Sequence, residues 1–83
     1  MMARVEALWR DEAGIAHISH GKLEDISDGG LSIRVNQPIR VGSKLIVRAH
    51  IGNFPGTVVQ SRQQGQEYVL GIKRDELQKP GAK

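Results

Sequence analysis

Apolar and polar side chains alternate along most of this chain, the period-2 pattern of strands that bury one face. Val5, Ala7 and Trp9 alternate with Glu6, Leu8 and Arg10, and Asp11-Glu12-Ala13-Gly14 reads as the turn that follows. From Ile15 to Ile26 the alternation is weaker and predicts one long strand or two short ones broken near Gly21, where glycine favours a bend or bulge. Asp28-Gly29-Gly30 is the strongest turn signal, with Gly29 or Gly30 expected at positive φ. Leu31, Ile33 and Val35 then mark a third strand, and Pro38 and Gly42-Ser43 a loop. Lys44–Ile51 reads as a strand, Gly52-Asn53 as a two-residue hairpin turn, and Phe54–Arg62 as the next strand, with Pro55 near its start where a missing N–H is tolerated. Gln63–Gln66 is a polar turn before the alternating Tyr68, Leu70 and Ile72. Only Asp75–Lys79 suits a helical turn, stopped by Pro80-Gly81.

Six short strands with turn chemistry between them predict an all-β, six-stranded antiparallel barrel, because closing the sheet removes exposed edges. The length of 83 residues fits one domain spanning 1–83. It leaves little room for an enzyme with its own cleft. No cysteine is present, which excludes disulfides, thiolate metal sites and cysteine nucleophiles. No apolar run approaches the ~20 residues of a membrane span, and MMARVEALWR lacks the apolar region of a signal peptide. These features predict a soluble cytoplasmic domain with no membrane insertion.

Charge adds a second layer. Residues 1–30 carry a formal −3 and residues 31–83 a formal +6, giving +3 overall. The basic side chains are spread singly through strands, the arrangement of a solvated face or an anion-binding surface. Catalytic chemistry finds no support: there is no nucleophile-elbow, phosphate-loop or zinc-peptidase pattern. His17 and His20 are three apart, which in a strand places them on opposite faces and argues against a shared metal.

One constellation remains. Asp25, Ser27 and Gly30 combine a strand end, two short polar side chains and a glycine pair. Asp25 and Ser27 suit Asx- and Ser-type turns, and equally suit the N–H donors of a guanine edge. The run Asp25-x-Ser27-x-x-Gly30, followed by Leu-Ser-Ile-Arg, resembles the D/N-x-S-x-x-G signature of PilZ domains. Pro38–Ser43 is similar to that family's mid-domain P-x-x-x-G connection, Phe54–Val59 to its next strand, and Tyr68–Ile72 to its closing y-x-x-G-i/v strand. The resemblance implies a six-stranded barrel, often with a C-terminal helix, that serves as a bacterial receptor for cyclic di-GMP.

The family's R-x-x-x-R motif, which precedes the first strand, is only half present in these residues: either the sequence begins inside the motif or its first arginine has been lost. Arg4 fits its second arginine, because Val5, Ala7 and Trp9 follow directly; the first would fall before Met1. Cyclic di-GMP carries two phosphodiester charges, and guanidinium groups bind phosphate bidentately and read the guanine edge. A charge-assisted contact is worth about 1.5–3 kcal/mol, so one missing clamp arginine costs ~10- to 100-fold in affinity. The resemblance thus implies Arg4, Asp25, Ser27 and Gly30 as ligand residues, with no catalytic residue, metal or other cofactor. Arg10, opposite the Val5-Ala7-Trp9 face, is an additional candidate. Arg34, Arg40 and Arg48 suit a phosphate site equally, and nothing in the sequence selects among them. Trp9 is expected in the core. The expected output partner is a neighbouring domain or protein. The alternative is a degenerate domain that binds proteins without nucleotide. Nucleic acid is not expected: Trp9, Phe54 and Tyr68 are too scattered for a stacking platform, and the acidic first half repels phosphates.

Overall fold

In the computed structural model, which describes residues 3–75, six strands close into a barrel. They are β1 (Ala3–Arg10), β2 (Ala16–Ile26), β3 (Gly30–Val35), β4 (Lys44–Ala49), β5 (Gly52–Gln64) and β6 (Glu67–Arg74). Their order around the barrel is β1-β2-β3-β6-β5-β4, antiparallel throughout. Every strand therefore has two partners along part of its length, which limits the open edge that could template aggregation. The helical turn expected at Asp75–Lys79 lies, beyond Asp75, outside the described residues.

The alternation decides which side chains enter. Val5 and Ala7, then Leu31, Ile33 and Val35, then Leu45 and Val47, then Val58, Leu70 and Ile72 fill the interior and are buried. The connection 36–43 crosses the barrel end from β3 to β4 and inserts Ile39 as a plug, 2% exposed. Backbone hydrogen bonds from Gly42 to Val58 O (2.7 Å) and from Val58 to Ser43 O (2.9 Å) pin that connection to β5. Ser19 is the one buried polar residue among those described, and its hydroxyl is satisfied by Asn36 Oδ1 at 3.3 Å.

Several local expectations are corrected. β2 is the single long strand of the two alternatives, and only the irregularity expected near Gly21 moves, to the step between Leu23 and Asp25. Gly21 serves close strand approach instead: a Cβ there would stand 2.2 Å from Arg34 O. The β4–β5 hairpin turns at His50-Ile51, and Gly52 (φ 149°) is already the first residue of β5, paired with Ala49. β5 continues to Gln64, so the following turn narrows to Gly65-Gln66, with Gly65 at φ 62°. Neither Gly29 nor Gly30 takes positive φ. Trp9 is half-buried rather than enclosed; it packs against the core and stacks on His17, ring centroids 5.1 Å apart.

Candidate functional site

The turn joining β2 to β3 is closed by its own polar groups. Asp25 Oδ1 accepts a hydrogen bond from the Ile26 N–H at 2.9 Å. The Ser27 N–H and hydroxyl both donate to Gly30 O, at 2.8 and 3.3 Å. Ser27 is thus a donor here, and its hydroxyl lone pairs remain as acceptors. The end of β6 bolts the turn from outside: the Arg74 N–H donates to Gly29 O at 3.0 Å and Arg74 Nη1 to Ser27 O at 3.0 Å. The same guanidinium lies over the Phe54 ring, 5.0 Å from its centroid, a cation–π contact that limits its freedom.

Beside this turn a shallow trough of about 460 Å³ opens on the outer face of the barrel, lined by Asp25, Ser27, Gly30, Ser32, Gly71 and Lys73, with Val59 on one side. The register explains its shape. Asp25 lies opposite Ser32, Ser32 opposite Gly71, and Gly71 opposite Gln60, so β3 and β6 contribute only a hydroxymethyl group and a hydrogen to the floor, and the Gln60 side chain borders it, its Oε1 3.5 Å from where a Cβ on Gly71 would stand. The pairing of β5 slips between Val58 and Gln60, and Val59 is 53% exposed there as an apolar wall. Bulges of this kind re-aim a side chain at a site. A carboxylate and a hydroxyl at one end, a low floor of Ser32 and Gly71, an apolar wall and a lysine together suit a planar polar ring with hydrogen-bond donors on its edge.

The structure brings Asp25, Ser27 and Gly30 to one place. Gly30 is there for β6: a Cβ would stand 2.7 Å from Ile72 O. Arg4 is exposed at the start of β1, opposite Lys22, and lines a neighbouring hollow with His20, Lys22 and Arg34 rather than the trough itself. Arg10 lies at the far end of β1, where Nη1 donates to Gly14 O at 2.9 Å and helps close the Asp11–Ile15 turn. Sequence reasoning missed Val59, Lys73 and Arg74. Only the β3–β6 and β5–β6 pairings place them at the turn, and no local pattern announces those pairings.

Several other charged groups hold one another or the backbone. Asp11 accepts from the Ala13 and Ile15 N–H groups at 2.9 Å each and pairs with His17 at 2.8 Å. The His17 hydrogen bond above all, and then the Ile15 N–H, hold its carboxyl below the usual value. His20 faces Glu6 at 3.7 Å. Another hollow, of about 730 Å³, lies at the other barrel end, where Asp11–His17 and Arg40–Glu12 already satisfy one another. Among the described residues no group of three His, Cys, Asp or Glu is placed to hold a metal, and no helix is long and apolar enough to cross a membrane.

The family model of the PilZ domain matches residues 3–81. No curated protein matches the chain.

Proposed function

The chain belongs to the PilZ domain family, and from that premise we propose that it is a cyclic di-GMP-binding regulatory module of bacterial signalling that acts in the cytoplasm on a neighbouring domain or partner protein. The observation that carries this reading is the trough: Asp25, Ser27 and Gly30 converge on it, with an open floor at Ser32 and Gly71. The free oxygen of Asp25 and the Ser27 hydroxyl suit the N–H groups of a guanine edge, and the floor accepts its flat face. Arg4 supplies a guanidinium for phosphate from the adjoining hollow. Its work is recognition, with no catalytic residue.

Calorimetric titration with cyclic di-GMP is the test. Micromolar binding is expected, with Asp25→Ala and Arg4→Ala each weakening it about tenfold or more. Absence of heat, even in a chain that carries an arginine four positions before Arg4, would overturn the reading. One observation favours the second reading, a protein-binding domain without nucleotide: Arg4 does not line the trough that holds Asp25 and Ser27. Loss of binding in every variant, wild type included, is the outcome that selects it.

A further inference from the structure

The cross-strand register divides the outer face into rows. Glu6 on β1 is opposite His20 on one side and Arg48 on the other, and Arg48 Nη2 meets Glu6 Oε1 at 2.6 Å. Opposite charges facing one another in this way are the ordinary arrangement of a sheet surface. The next row breaks that rule. Arg4 is directly opposite Lys22, Lys22 directly opposite Arg34, Arg34 opposite Val69, and Val69 opposite Arg62. Four cations lie in one line across β1, β2, β3 and β5. Like charges directly opposite destabilise a sheet, so such a row costs stability unless an anion covers it.

Only one of the four is compensated from within. Arg34 binds Glu24 at 2.5 Å and Glu67 at 3.4 Å, and the hydrogen bond to Glu24 chiefly raises its pKa further. Arg4, Lys22 and Arg62 make no ion pair among the described residues. Val69 stands outside the core cluster yet is only 8% exposed, flanked by Arg34 on one side and Arg62 on the other.

This row adjoins the trough. Arg34 is two residues from Ser32 on β3, Val69 two from Gly71 on β6, and Arg62 two from Gln60 on β5. Rows two residues apart on one face are separated by about 6.8 Å. Lys73, two residues beyond Gly71, holds the other side of the trough without an ion pair among the described residues. A low floor of Ser32 and Gly71 is thus flanked by cations on both sides.

We propose that Lys22, Arg34 and Arg62 form the phosphate-binding rim of the trough, continuing the line that Arg4 begins, with Lys73 opposite. This deepens, and rests on, the reading of the trough as a nucleotide site. It assigns the ligand's negative charge to the sheet itself and not only to a segment before β1. A ligand with two separated anionic groups about a planar base is the class that fits. A single phosphate would leave one rim uncovered.

The test uses the 83-residue chain, wild type and Lys22→Ala/Arg62→Ala, both positions being exposed and outside the core. Calorimetry with cyclic di-GMP is paired with amide NMR titration using inorganic pyrophosphate, a multiply charged phosphate anion without a base. The double variant is expected to bind cyclic di-GMP at least tenfold more weakly, while its thermal midpoint, relieved of like-charge repulsion in the row, does not fall. Lys22→Arg is expected to restore most of that loss when combined with native Arg62. Pyrophosphate is expected to shift the amides of Lys22, Arg34, Val69 and Arg62 in the wild type and not in the double variant. Unchanged cyclic di-GMP affinity in the double variant, or pyrophosphate shifts that avoid this row, would overturn the rim. If pyrophosphate maps to the row and cyclic di-GMP gives no heat, the rim stands and the nucleotide reading fails.

Discussion

Adjacent glycines in the β2–β3 turn should respond to alanine with opposite sign. At Gly30 an added Cβ would stand 2.7 Å from Ile72 O, a backbone atom of the paired strand β6. Ordinary contact begins near 3.4 Å, so β3 and β6 must part by roughly 0.7 Å where Gly30 faces Lys73. Forced overpacking of this kind costs about 1–3 kcal/mol. Alanine also restricts the unfolded chain, which returns about 0.4–1 kcal/mol. The net expectation for Gly30→Ala is a loss of about 1–2 kcal/mol, and at about 4–8 °C per kcal/mol for a domain this size the thermal midpoint falls by about 4–16 °C. At Gly29 nothing lies within 4 Å of the added Cβ and φ is not positive. Gly29→Ala is therefore neutral or stabilising by up to about 1 kcal/mol. Calorimetric or circular-dichroism melting of both variants decides the matter. A midpoint for Gly30→Ala at or above that of wild type, or a loss at Gly29 equal to that at Gly30, would refute the reasoning. Because the displaced backbone carries the carbonyl that holds Ser27, Gly30→Ala is also expected to weaken ligand binding.

Arg74→Ala removes the hydrogen bond to Ser27 O and the contact over Phe54; a loss of about 1–2 kcal/mol in urea denaturation is expected, with faster amide exchange at Ser27–Gly30. Ile33 is fully buried, so Ile33→Ala should cost about 2–5 kcal/mol, a large share of the ~4–12 kcal/mol that a domain of 83 residues possesses, visible as a lower urea midpoint. Asp11 has a folded pKa depressed below 3.8, chiefly by His17. Its contribution is therefore present above about pH 4 and is lost as the pH falls through the depressed value. Asp11→Asn should be less stable than wild type at neutral pH, and the difference should close in acid; a gap that is constant with pH would contradict this.

How much of this was legible varies from residue to residue. Alternation placed Val5, Ala7, Leu31, Ile33, Val35, Leu70 and Ile72 on inner faces correctly, since side chains on a strand change face at every step. The same rule is blind to slips of two residues, which preserve the face and change the neighbour. That is why Gly52-Asn53 looked like a hairpin while the chain turns at His50-Ile51, and why Gly21 looked like a break when its lack of a Cβ serves Arg34 O on β3. The motif Asp25-x-Ser27-x-x-Gly30 was readable because its groups are local. Arg74, its anchor, is 47 residues from Ser27 and carries no local mark.

The amino-acid sequence by itself determined six strands, their inner faces, an acceptor-rich turn and the family to which these point, all consequences of local geometry with a period of two. The tertiary structure alone decided who faces whom. Closure of β3 against β6, joining segments about forty residues apart, sets a low floor beside Asp25 and aligns Arg4, Lys22, Arg34 and Arg62 in a single row. Register is a global quantity, set by the packing of the whole barrel.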